Sequence, residues 1–160
     1  MLYPPTKSDQ VPALWGTSYQ DVRVPLPQRL DFITLGARSI PALRAFYRSW
    51  GWVENEEGSD EFASFTAGSV RLALYPIDRL RDEAAPGSAV PLPGAWNGMA
   101  LAMNFSTQSE VDIAVDDAVE AGAVVVERPV DREWGGYSGY VADPEGHRWE
   151  LAWAPDFDPH

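Results

Sequence analysis

Cysteine is absent from all 160 residues. That removes disulfides, thiol nucleophiles and thiolate metal sites, and it suits a reducing compartment. Basic residues are also scarce: 12 Lys and Arg stand against 24 Asp and Glu, a formal net charge of -12. The clustered cations that grip nucleic acid or an anionic membrane are therefore missing, and neither partner is expected. No segment approaches the ~18 apolar residues of a membrane span, and the first residues lack the basic start and apolar run of a signal peptide. The expectation is a soluble, cytoplasmic protein. A glycine-rich phosphate loop and a Ser–His–acid motif are missing too.

What the chain has instead is aromatic surface, with seven Trp, six Tyr and six Phe. That rules out a disordered acidic tail and supplies both a core and the lining of a small-molecule cavity. The length suits one compact domain, or two small modules packed as one.

Residues 1–28 hold five prolines among polar residues and read as an extended arm. Leu14, Trp15 and Tyr19 are its candidate docking points. From Leu30 the pattern changes. Phe32 to Leu35 is a β-branched apolar strand, and Ser39 caps a helix whose first turn holds Pro41. Leu43, Phe46, Tyr47 and Trp50 recur at helical spacing, and Gly51 ends the run. Trp52 to Glu54 starts another strand. Phe62 to Phe65 and Val70 to Tyr75 form a hairpin around Ala67-Gly68-Ser69. Ile77 to Asn97 reads as a linker.

The order then repeats. Met99 to Phe105 is a strand, Ser109-Glu110 opens a helix that Gly122 closes, and Ala123 to Glu127 is a strand. A longer loop leads to a closing hairpin, Ser138 to Ala142 and Arg148 to Trp153. Even the last strands end alike, RLALYP from Arg71 against ELAWAP from Glu150. The chain is therefore expected to be α+β: paired βαβββ modules, about 29–76 and 98–155, forming a curved mixed sheet around a cavity.

Two stretches sharpen this reading: FITLGARSIPALRAFYRSWGW from Phe32, and WGGYSGYVADPEGHRWELAWAP from Trp134. With the duplication, they resemble the vicinal oxygen chelate superfamily of glyoxalase I, bleomycin resistance proteins, fosfomycin resistance enzymes and extradiol dioxygenases. The resemblance implies four inward positions, on the first and last strand of each module, where metal-dependent members carry His, Gln or Glu. Here they fall at Phe32, Arg71, Ala100 and Glu150. Only Glu150 is a metal ligand, whereas a catalytic divalent ion wants about three. His147 lies in a turn and His160 is the last residue, so no cofactor is expected, and Glu150 would be the one protein ligand of any divalent metal.

Glu150 is the candidate acid, base or cation anchor. The bland alternative is a structural carboxylate paired with a neighbour such as Arg71. Arg71 would take Glu150 or an anionic ligand group as its partner, or simply face solvent. Trp134, Tyr137 and Tyr140, interleaved with Gly135, Gly136 and Gly139, are expected at the cavity mouth, where ordinary packing is the competing role. Asp143 to Gly146 reads as a turn. Asp112, Asp116, Asp117 and Glu120 read as a solvated helix face.

The resemblance supports two functions. One is a metal-free cavity binding a cationic or aromatic small molecule. The other is a lyase, isomerase or dioxygenase-type enzyme using Glu150 as acid/base or metal ligand. A homodimer is expected in either case.

Overall fold

The computed structural model describes residues 27–56 and 58–157. The expected arm (apart from Pro27 and Gln28) and His160 lie outside them. Module one opens with strand β1 (Phe32–Ala37) and helix α1 (Ile40–Ser49). The Ser39 side chain accepts the Ala42 N–H at the helix start, with Pro41 in the first turn. Gly51, at φ +90°, reverses the chain after the helix, a conformation that side chains with a Cβ resist. Strands β2 (Ala63–Ala67) and β3 (Val70–Pro76) follow as the expected hairpin.

Two local expectations differ from the structure. The strand expected from Trp52 is a single antiparallel bridge between Glu54 and Phe65. Glu54 is instead engaged by the Arg44 and Arg48 side chains of α1, an ion network that holds the segment without a ladder. The first half of the linker is helix α2 (Ile77–Ala84), whose short apolar stripe of Ile77, Leu80 and Ala84 was hidden among charges. Gly36 of β1 lets α2 approach: a Cβ there would lie 2.9 Å from the Ile77 side chain.

Module two contains β4 (Ala100–Asn104), α3 (Gln108–Ala121), β5 (Val124–Asp131), β6 (Tyr137–Ala142) and β7 (Arg148–Trp153). Helix α3 begins one turn-residue earlier than expected. Thr107 is its N-cap, and Thr107 with Glu110 forms a reciprocal capping box. Gly122 closes the helix in the left-handed conformation. Strand β5 runs on to Asp131 through two register irregularities.

Among the described residues, β1-β3-β2 form one sheet and β4-β7-β6-β5 another. The order is the same in both modules, with the first and last strands parallel and adjacent. The sheets are mixed and open, and among the described residues no hydrogen-bonded ladder joins them and no barrel closes. Their shared core lies on the helix side. Leu35, Leu43, Phe46, Tyr47, Phe65, Leu72 and Leu74 of module one pack in one cluster with Val111, Val115, Trp149 and Leu151 of module two. Each such side chain contributes about 1.5–3 kcal/mol when fully buried.

An aromatic box locks the modules. The Tyr47 ring sits 5.9 Å from Trp149, while Trp50 and Trp52 each lie 5.5 Å from it. Trp50 and Trp52 are thus core residues, as their helix-end positions imply. The Tyr47 hydroxyl donates to Asp143 Oδ2 at 2.7 Å and accepts from Trp149 Nε1 at 3.1 Å. Asp143 makes the turn as expected, its Oδ1 accepting the N–H groups of Glu145, Gly146 and His147. It also performs the inter-module tie, which the sequence did not suggest.

Candidate functional site

Strand alternation decides which residues share a face. On β7, Trp149 and Leu151 are buried against the helices, so Arg148, Glu150 and Ala152 face the opposite side of the sheet, the expected concave face. On β3, Leu72 and Leu74 point to the core and Arg71 to the concave side.

Register then aligns the four positions. Phe32 is directly opposite Arg71, and the Arg71 guanidinium lies 6.0 Å from the Phe32 ring centroid. Glu150 is opposite Ala102, whereas Ala100 is opposite Arg148. Ala102 is therefore the residue across from Glu150, two positions along the face from Ala100. Across the antiparallel neighbours, Thr66 lies opposite Arg71 and Tyr140 opposite Glu150. The corresponding first- and last-strand pairs are thus Phe32 with Arg71 and Ala102 with Glu150.

This donor set does not fit a divalent ion. Of Phe32, Arg71, Ala102 and Glu150, one side chain can ligate, and Arg71 carries a repelling charge. Among the described residues, no three His, Asp or Glu side chains converge. His147 points elsewhere, its Nδ1 lying 2.8 Å from Asp143 Oδ2.

Glu150 is half-buried and accepts the Tyr140 hydroxyl at 2.8 Å. Burial first, then this hydrogen bond and the charge of Glu150, raise the Tyr140 phenol above its usual range. At neutral pH it is a protonated donor aimed at a carboxylate. Arg132, which the sequence reading missed, lies 5.6 Å from the Tyr140 ring centroid. Its Nη2 contacts Glu127 Oε2 at 2.7 Å, and its Nε donates to the buried Ser138 hydroxyl at 2.9 Å. The hydrogen bond from Arg132 holds Glu127 below its usual carboxylate range. Sequence could not flag Arg132, because it follows the Asp131–Tyr137 pair at the end of β5 and reaches Ser138 and Tyr140 through the β5–β6 pairing, which no local pattern reports.

The other candidates separate. Tyr137 is on the opposite face of β6 from Tyr140 and donates to Asp112 Oδ1 of α3 at 2.8 Å. Trp134 is 57% exposed, its ring lying over Gly136, where a Cβ would collide with it. Asp112, Asp116, Asp117 and Glu120 are exposed on α3 as expected.

A cavity of about 290 Å³ lies elsewhere, between α2, the 85–97 strap, the ends of β1 and β4, and the 145–148 turn. None of the seven candidate residues lines it.

Two duplicated modules, each pairing a parallel first and last strand, define the glyoxalase-type class of α+β proteins. Residues 29–151 match the Glyoxalase/Bleomycin resistance protein/Dioxygenase superfamily, and the chain belongs to it. A glyoxalase-related enzyme from Fulvimarina pelagi is 30% identical, with a TM-score of 0.70 over 81% of this chain and 90% of that one. Lactoylglutathione lyase from Agrobacterium tumefaciens is 22% identical, with a TM-score of 0.61 over 82% and 98%, a likeness of fold alone. An uncharacterized protein of Mycobacterium bovis is 47% identical over 45 residues, 28% of this chain and 30% of its own length. The chain thus spans less than a third of the curated relatives it matches. No helix among the described residues is long and apolar enough to cross a membrane.

Proposed function

We propose that this protein is a metal-independent small-molecule-binding member of its superfamily, with its ligand seated on the concave face of the second sheet. The observation that carries this reading is the composition of the four inward positions. Glu150 is the one metal-ligating side chain among them, and it is hydrogen-bonded to Tyr140. A half-buried carboxylate that accepts from a phenol suits a ligand with a cationic or hydroxylated head and an aromatic body.

Metal analysis of protein purified without chelator, with Zn²⁺, Ni²⁺, Fe²⁺ and Mn²⁺ titrations, is the test. Stoichiometric metal in any of them would sink the proposal and restore the glyoxalase or dioxygenase reading.

A lyase or isomerase is the second reading, favoured by one contact. Tyr140 and Glu150 at 2.8 Å form a proton-transfer pair, with Glu150 as acid or base. Glu150→Gln separates the two: an enzyme loses turnover, while a pure binder still holds an uncharged ligand.

The expected assembly is a homodimer in the cytoplasm. Supporting self-association, β5 is a sheet edge on which Val124 and Val126 are 65% and 50% exposed.

A further inference from the structure

The 290 Å³ cavity under the 85–97 strap does not include Glu150, although Arg148, which lines it, is on the same face of β7 two residues away, and its chemistry differs. Its walls are aliphatic, with Leu80 and Ala84 from α2, Leu92 from the strap, and Met99 and Leu101 from the start of β4. An apolar cavity of roughly 150 Å³ accepts one benzene ring. Twice that volume takes about two fused rings, or an alkyl chain of about eight to ten carbons.

One end of the cavity is cationic. Arg38 and Arg148 both line it. Arg38 is matched by Glu145, which lies 2.9 Å from its Nη1. Arg148 is different. Its Nη1 donates to the Gly146 carbonyl at 2.7 Å and its Nη2 to the Gly94 carbonyl at 3.1 Å. Among the described residues neither contact is with a carboxylate, so the charge of Arg148 is solvated by neutral dipoles. A guanidinium has five donors, and those left over are free to bind a carboxylate at the mouth of an apolar chamber.

The strap makes the chamber enterable. Its residues 86–89 and 91–97 are exposed, and side chains hold it through carbonyl bonds from Arg38 to Pro91 and from Arg148 to Gly94. The backbone of Gly94 also rests against Gly146. A carboxylate arriving at Arg148 would compete with the Gly94 carbonyl, coupling binding to release of the strap.

We propose that this cavity binds a small organic carboxylate with an apolar body of one or two rings or a medium chain, its carboxylate on Arg148. Glu150 is not among the residues that line this site, so the proposal does not need the Glu150 reading. Calorimetric titration of the full chain with 1-naphthoate, methyl 1-naphthoate and octanoate tests it. The expected result is one 1-naphthoate per chain, with the methyl ester at least about tenfold weaker because it lacks the charge-assisted pair.

Ala84→Trp, at an exposed helix end, fills the chamber and should abolish binding while leaving the thermal transition in place. Arg148→Met should weaken the acid about tenfold and leave the ester unchanged. Glu150→Gln should alter neither. The proposal falls if neither acid binds, if acid and ester bind equally, if Ala84→Trp still binds, or if Glu150→Gln abolishes binding. The last outcome would put the ligand at Glu150 and Tyr140 instead.

Discussion

Tyr47 and Asp143 show how much a single pair can carry. The phenol is buried between α1 and β7, and burial, followed by the charge of Asp143, holds it well above the usual 10.0. Tyr47→Phe keeps the ring and leaves Trp149 Nε1 without its acceptor and Asp143 Oδ2 without one of its donors. The expected loss is about 1–3 kcal/mol in urea denaturation at neutral pH. The same residue predicts a pH dependence. Above about pH 10 the unfolded chain releases the Tyr47 proton and the folded chain retains it, so stability falls as pH rises through that value. In Tyr47→Phe the alkaline fall in stability should be shallower by one proton. An unchanged slope would show that Tyr47 is not the group responsible. Glu150→Gln makes a different residue-level prediction. The Tyr140 phenol should titrate lower once its carboxylate acceptor is gone, as read by ultraviolet phenolate absorbance, with the remaining elevation due to burial.

Helix α3 carries its start signal in sequence, since Thr107 and Glu110 have capping-box spacing and Gly122 stands where a left-handed cap belongs. Thr107→Ala should cost about 1 kcal/mol, measured by chemical denaturation. The turn between β6 and β7 was equally legible, because Asp143, Pro144 and Gly146 each suit one position of the bend. What the turn touches was not. Gly146 has φ +97°, and a Cβ on it would lie 2.6 Å from the Gly94 Cα. Gly146→Ala should therefore cost about 1–3 kcal/mol and speed hydrogen exchange across the 85–97 strap. Exchange that stays unchanged would mean that the strap is held without this approach. Helix α2 escaped the sequence reading because eight residues give only two turns. Its stability comes from docking on β1 and β3, which no local pattern reports.

For the molecule as a whole, repetition was the strongest sequence signal. The matching RLALYP and ELAWAP endings placed Arg71 and Glu150 at equivalent positions, and the register pairs them with Phe32 and Ala102. Association belongs to this scale. A Lys at Val126 on the β5 edge should shift the proposed dimer toward monomer in light scattering. A dimer that survives the charge would place the interface elsewhere.

Sequence by itself determined the α+β class, the duplicated module, the Ser39 cap of α1, the glycine that closes each long helix and the face on which Glu150 lies. Those features depend on neighbours within a few residues, or on a period of two or 3.6, so they are written locally. Tertiary structure decided the rest: that Tyr137 turns to α3 while Tyr140 meets Glu150, that Arg132 comes back over β6, and that an aliphatic chamber opens under the strap. Each of these depends on side chains from separate elements meeting in space. A one-residue change of register would move them to the other face without altering any local pattern.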